Sequence, residues 1–136
     1  MRNNPFKVLI IDDDPGVLFL HEIMVSEGKL HPEPSMFFDA KNALNYLLSI
    51  DDKQNRILIF LDINMPKMNG WEFLDRLMKK IKHSDVKVVM VTSSLNKNER
   101  EKAKKYKLVI DFWEKPMDEN QVSTLIQNLG SWLKVD

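Results

Sequence analysis

Residues 57–61 read Ile-Leu-Ile-Phe-Leu, an apolar run with no polar interruption that stops abruptly at Asp62. A run this short suits a strand covered on both faces, and strands of that kind belong to parallel sheets. Four more short apolar runs accompany it: Phe6–Ile11, Ser35–Phe38, Val86–Val91 and Leu108–Trp113. β-Branched residues are frequent in them, and Val-Val-Met-Val at 88–91 is as unbroken as the first. Helical patterns with legible ends lie between the runs. Asp14-Pro15 reads as an N-cap followed by proline at the first helical position, with Gly28 as the stop. Asp39 precedes a stripe of Ala40, Ala43, Leu44, Leu47 and Leu48, and Trp71, Leu74, Leu77, Met78 and Ile81 repeat the spacing. Asp118 and Gln121 resemble a capping box ahead of the strongest stripe, Val122, Leu125, Ile126, Leu129, Trp132 and Leu133. The segment Asn96–Tyr106 is the weakest helix, because only Ala103 and Tyr106 give it an apolar face. Strand and helix alternate five times, which predicts an α/β fold: a doubly wound five-stranded parallel sheet with helices on both faces.

Composition narrows the function classes. The 136 residues make a single domain over 1–136, with a core from about 5 to 134, rather than a two-domain enzyme. Twenty Lys plus Arg against twenty Asp plus Glu give zero net charge, so no global field points to nucleic acid or an anionic membrane. The absence of cysteine removes disulfides, thiol nucleophiles and thiolate metal sites together. No run approaches a membrane span, and Phe6–Ile11 is too short for a signal peptide. A cytoplasmic location is expected.

The polar residues then fall at one edge. In open parallel sheets, ligands bind outside the carboxyl ends of the strands. Those ends carry Asp12, Asp13 and Asp14 after the first strand and Asp62 after the third. Thr92 and Ser93 follow the fourth, and Glu114 leads into Lys115-Pro116 after the fifth. Asp14 before Pro15 reads as a helix cap. Asp12, Asp13 and Asp62 together would be like charges, costly unless a cation sits among them. With oxygen ligands only, a hard cation is expected, and Mg²⁺ is typically held by one or two carboxylates with waters and phosphate oxygens. A carboxylate beside it can attack phosphorus to give an aspartyl phosphate, with Lys115 neutralising the phosphoryl oxygens and Thr92 hydrogen-bonding one of them.

These residues resemble the receiver domain of two-component response regulators. The acidic pair of that family is matched by Asp12 and Asp13 in KVLIIDDDP, and its acceptor segment by LDINMPKMNG, with Met65, Pro66 and Gly70 in place. Thr92 in VVMVTSS and Lys115-Pro116 in DFWEKP complete the set in the right order. The resemblance implies the flavodoxin-like strand order 2-1-3-4-5 and a phosphorylation-dependent switch. Asp13, Asp62 and the backbone carbonyl of Asn64 would ligate Mg²⁺, and Asp12 would act through a water. Asp62 would accept a phosphoryl group from a sensor histidine kinase, a histidine phosphotransfer protein or a small acyl phosphate. Thr92 would shift toward that group and Phe112 would turn inward. The downstream protein would read the face of helix four, strand five and helix five, with neither direct DNA binding nor a membrane span; a phosphorylation-linked dimer fits the same scheme. Lys115-Pro116 is commonly cis in the family, and Asn64 and Ser94 influence the lifetime of the phosphorylated form.

Plainer readings stand beside these. Phe112 serves as strand core before it serves as a switch, Trp71 and Trp113 are fillers first, and His21 reads as a surface residue on the first helix. His31 and His83 fall near loops and carry no assignment. Lys97–Lys107, with six basic and two acidic residues, reads as a solvated helix face and the first place to look for a partner. The chain stops at Asp136, soon after the last helix, so a stand-alone switch is expected rather than an enzyme. One alternative is a small phosphohydrolase of the haloacid-dehalogenase type, whose D-x-D signature Asp12-Asp13-Asp14 meets superficially. Another is a degenerate receiver that binds partners without phosphorylation.

Overall fold

The computed structural model describes residues 6–93 and 96–133. In chain order the elements are β1 (Phe6–Ile11), α1 (Pro15–Glu27), β2 (Ser35–Phe37), α2 (Ala40–Ser49), β3 (Arg56–Leu61) and α3 (Gly70–Lys80). They continue with β4 (Asp85–Thr92), α4 (Lys97–Ala103), β5 (Val109–Glu114) and α5 (Glu119–Leu129), and a 3₁₀ turn over Gly130–Leu133. All strands pair in parallel, in the order β2-β1-β3-β4-β5.

The uninterrupted run of β3 has a direct cause. Its side chains alternate between two cores, Ile57, Ile59 and Leu61 facing the α2–α3 side and Leu58 and Phe60 the α1–α5 side. From Ile57 to Leu61 no position meets water and none is polar, whereas Arg56 at the start of the strand is half-buried. Burying each of these side chains stabilises the fold by about 1.5–3 kcal/mol. β1 alternates in the same way, with Leu9 and Ile11 in one core and Val8 and Ile10 in the other. β5 lies at the sheet edge and shows the contrast: only Phe112 and Trp113 are buried, and Ile110 is 40% exposed.

Several boundaries differ from the sequence reading. β2 ends at Phe37, and Phe38 is 60% exposed just before the Asp39 cap of α2. α4 stops at Ala103 rather than Tyr106, because Ala103 is its only buried residue and little apolar surface pulls a further turn onto the sheet. The last stripe does not stay α-helical to Leu133. Gly130 has φ +50°, which ends α5 and turns Trp132 and Leu133 into a 3₁₀ turn. Residues 5 and 134, the limits of the expected core, lie outside the described residues, as does Ser94.

Candidate functional site

Sheet register brings the acidic residues together. Ile11 pairs with Leu61, and the ladder runs one bond past each strand: Asp62 N–H donates to Ile11 C=O at 3.0 Å and Asp12 N–H to Phe37 C=O at 3.1 Å. Asp12 and Asp62 therefore leave the sheet side by side. Asp12, Asp13 and Asp62 each offer a carboxylate oxygen within 4.8 Å of the others. Asp12 and Asp62 are buried and Asp13 is exposed.

Asp14 does not join them. Its Oδ1 accepts from the N–H groups of Gly16 and Val17 at 2.9 and 3.3 Å and caps α1. A D-x-D reading thus loses its second carboxylate, since this one is spent on the helix.

Behind Asp62 the chain turns sharply into α3. Gly70 N–H donates to Ile63 C=O at 2.8 Å, and a Cβ at Gly70 would stand 2.6 Å from the Asp62 carbonyl oxygen. Only glycine lets α3 approach the acceptor segment this closely. Met65 and Met68 bury themselves beneath the loop, Lys67 takes φ +70°, and Asn69 closes a capping box with Glu72. Asn64 stays exposed on the cleft side.

Lys115 completes the cluster. Its Nζ lies 2.6 Å from Asp12 and 3.2 Å from Asp62. The Lys115-Pro116 peptide is cis, and Lys115 N–H donates to Thr92 C=O at 2.7 Å, which joins the ends of β4 and β5. Thr92 is buried at the end of β4. Asp13, Asp62, Asn64, Ser93 and Lys115 line a common open cleft of about 530 Å³. A slightly larger cavity of about 560 Å³ lies between α1 and α5, walled by Met24, Ser123 and Ile126, but the gathered carboxylates are at the first.

The electrostatics follow from this packing. Burial, then the Asp12 charge, push the Asp62 carboxyl up to about 6, although Lys115 pulls it the other way. Repulsion is thus the second cause, and burial the first. Burial disfavours the Lys115 ammonium, yet its bond to Asp12 and the charges of Asp12 and Asp62 hold its pKa above the ordinary value. Three carboxylates face one ammonium, which leaves room for a divalent cation. The donor set is all oxygen, the chemistry that Mg²⁺ prefers.

Two placements depart from the sequence reading. His21 is not a surface residue: it is 1% exposed, and its Nε2 accepts the Met117 N–H at 3.2 Å. α1 is apolar nearly all round, so the helix presses this ring inward with Leu18 and Val25. The basic stretch is not only a solvated face either. Arg100 lies 5.6 Å over the Phe112 ring and Lys102 4.8 Å over Trp71, which stacks on Tyr106. Phe112 itself is already packed inward, in the core with Ala103.

Known proteins resemble this chain in sequence and fold. The response regulator receiver domain matches residues 8–127. Response regulator Rre1 of Synechocystis is 27% identical over 92% of this chain, which spans only about half (52%) of that protein's length. Sporulation initiation phosphotransferase F of Bacillus subtilis is 33% identical over 64% of each chain. A two-component response regulator from Cytophaga hutchinsonii superposes with a TM-score of 0.78 at 26% identity, covering 93% of this chain and 98% of its own.

Proposed function

The chain belongs to the response regulator receiver-domain family, and from that premise we propose that it is a phosphorylation-dependent switch with Asp62 as the acceptor. The observation that carries this reading is the Lys115 ammonium set between buried Asp12 and Asp62 at the mouth of the cleft. An Asp62 carboxylate oxygen attacks phosphorus, and the bond from phosphorus to a histidine nitrogen or an acyl oxygen breaks. The leaving imidazole or carboxylate keeps the bonding pair. Lys115 offsets charge on the phosphoryl oxygens, and the Thr92 hydroxyl donates to one of them. Receiver domains bind Mg²⁺ at such an acidic cluster; here Asp13, Asp62 and the Asn64 carbonyl would hold it, with Asp12 acting through a water. Bound there, the ion would supply further charge neutralisation.

The donor is a histidine kinase or a histidine phosphotransfer protein, the class of partner a receiver domain serves. The output face is the α4–β5–α5 surface, where exposed Ile110 borders Arg100 and Lys104. Phe112 acts there as a packed core residue that phosphorylation can re-seat. On this reading residues 1–136 act as one receiver unit in the cytoplasm. No helix among the described residues is long and apolar enough to cross a membrane.

Intact mass after incubation with Mg²⁺ and a small acyl phosphate or a phosphorylated kinase tests the proposal. One added phosphoryl group is expected, absent in Asp62→Asn and absent with EDTA. No adduct from either donor would leave a phosphorylation-independent binding module as the better reading.

A further inference from the structure

The turn that carries Lys115 is held at both ends, and one of the two anchors is a side chain from another element. Lys115 N–H is spent on the Thr92 carbonyl at 2.7 Å, and Pro116 has no N–H. Asp118 N–H is spent locally, on Gln121 Oε1 at 2.9 Å within the α5 cap. Met117 N–H reaches across 96 residues to His21 Nε2 at 3.2 Å, inside the core. Both partners are buried, at 1% exposure each. A buried N–H left unpaired is costly, so this bond fixes where the backbone sits after Pro116.

From this geometry we propose that His21 is a positioning residue for Lys115. Its neutral imidazole anchors the Lys115–Met117 turn to α1 and so aims the ammonium at the phosphoryl site. The inference rests on the receiver chemistry above and adds a residue that takes no part in it directly. The hydrogen bond settles the tautomer. Nε2 accepts, so the proton is on Nδ1, and an imidazolium could not accept at all. Burial first and the Lys115 charge second lower the His21 pKa to about 4, which keeps the ring neutral in working conditions. The charge that acts on the ring is that of the same Lys115. Nothing but an acceptor at this height on α1 is required, so glutamine should substitute and leucine should not.

The test compares wild type, His21→Gln and His21→Leu. The first readout is the rate at which Lys115 is labelled by reductive methylation, followed by peptide mass. Its side chain is 13% exposed between two carboxylates and should label slowly. His21→Leu is expected to label several-fold faster and to lose Met117 amide protection from hydrogen exchange, while His21→Gln keeps both at the wild-type level. The second readout is phosphorylation by a small acyl phosphate, expected to fall about ten- to hundredfold in His21→Leu and to recover in His21→Gln. Mg²⁺ affinity, which uses other residues, should not weaken in either variant. Unchanged Lys115 labelling in His21→Leu overturns the inference, and so does an equal loss of Mg²⁺ affinity, which marks a general structural fault. If wild type takes no phosphoryl group, the receiver reading fails instead, and the labelling and exchange rates still decide what His21 holds.

Discussion

Two aspartates stand at the two ends of β3 and live under opposite regimes. Asp51, in the loop before the strand, accepts from the N–H groups of Lys82, His83 and Ser84 at 2.7, 3.1 and 2.8 Å, and from the Ser84 hydroxyl at 2.8 Å. Burial would raise its pKa, but those bonds outweigh it and hold the carboxyl at about 2. Asp62, just past the strand, has burial and a neighbouring carboxylate against it and sits at about 6. The rest of each edge follows suit. At the amino edge Arg56 donates to the Trp132 carbonyl, and the Trp132 indole N–H donates to Asp85 at 2.8 Å. At the carboxyl edge three carboxylates gather, and Lys115 pairs with two of them, Asp12 and Asp62. One end of the sheet is closed by satisfied hydrogen bonds, and the other is left short of positive charge. That imbalance makes the second end receptive to a cation, which on the proposed function would offset the charge of an incoming phosphoryl group.

Removing each carboxylate should therefore move stability in opposite directions. Asp51→Ala removes the shared acceptor of Lys82, His83 and Ser84, only partly replaced by water, and is expected to cost about 2–3 kcal/mol. Asp62→Ala relieves an ionised buried group whose pKa is raised from 3.8 to about 6. At pH 7.5 in EDTA it should stabilise the fold by up to roughly 3 kcal/mol, reduced by the small cavity it leaves. Urea titrations of the metal-free variants check both. If Asp62→Ala proved clearly destabilising, Asp62 would have a structural role and the contrast between the edges would collapse.

The same contrast can be sharpened with pH. Asp62 favours the fold when protonated: that contribution is complete below 3.8 and is lost as pH rises through about 6. His21 behaves in the opposite sense. Its folded-state pKa is lowered from 6.5 to about 4, so its contribution is present above 6.5 and lost as pH falls toward 4. Each spans roughly 3 kcal/mol, and in metal-free wild type they should nearly cancel between pH 4 and 6.5. His21→Gln should become more stable as pH falls through this window, and Asp62→Asn less stable. Equal slopes in the two variants would show that neither group titrates as its surroundings dictate.

A smaller effect is expected from Mg²⁺. An ion at ten times its Kd should add about 1.4 kcal/mol, seen as a rise in melting temperature. Asp13→Asn and Asp62→Asn should abolish the rise, whereas Asp51→Ala should keep it. A melting curve indifferent to millimolar Mg²⁺ would remove the cation from the account.

How much of this was legible beforehand depends on how local the cause is. The ILIFL run announced a strand buried on both faces because burial on both faces leaves no room for a polar residue. That Asp12, Asp13, Asp62, Thr92 and Lys115 gather at one edge was legible because each stands within two residues of the end of an apolar run, and a parallel sheet brings such ends together. A surface reading of His21 overlooks that Leu18, His21 and Val25 follow the spacing of a buried stripe. The partner of His21 is a backbone N–H 96 residues away, which no side-chain pattern records. The amino edge is silent for a similar reason: Asp51 accepts from backbone N–H groups some thirty residues away and Trp132 donates to the Asp85 side chain at the start of β4, pairings that no local spacing records. At the end of α5 the apolar spacing runs on past the helix, because Gly130 breaks the helix without breaking the stripe.

The smallest expected effect tests whether the two edges are independent. Trp132→Phe removes the indole N–H that bonds Asp85 but keeps an aromatic ring against Phe6, now 5.6 Å away edge-on, and beneath Lys87 at 5.1 Å. Asp85 is exposed and can take water instead, so the loss should be about 1 kcal/mol in urea denaturation. The phosphorylation rate and Mg²⁺ affinity should not change, because the substitution lies at the opposite end of the strands from Asp62. Because Asp85 is exposed and can bond water instead, losing this bond puts no strain on the close-packed sheet for it to pass on. A slowed phosphorylation in Trp132→Phe would mean that the closed edge sets the geometry of the open one, and the division of labour along β3 would have to be given up.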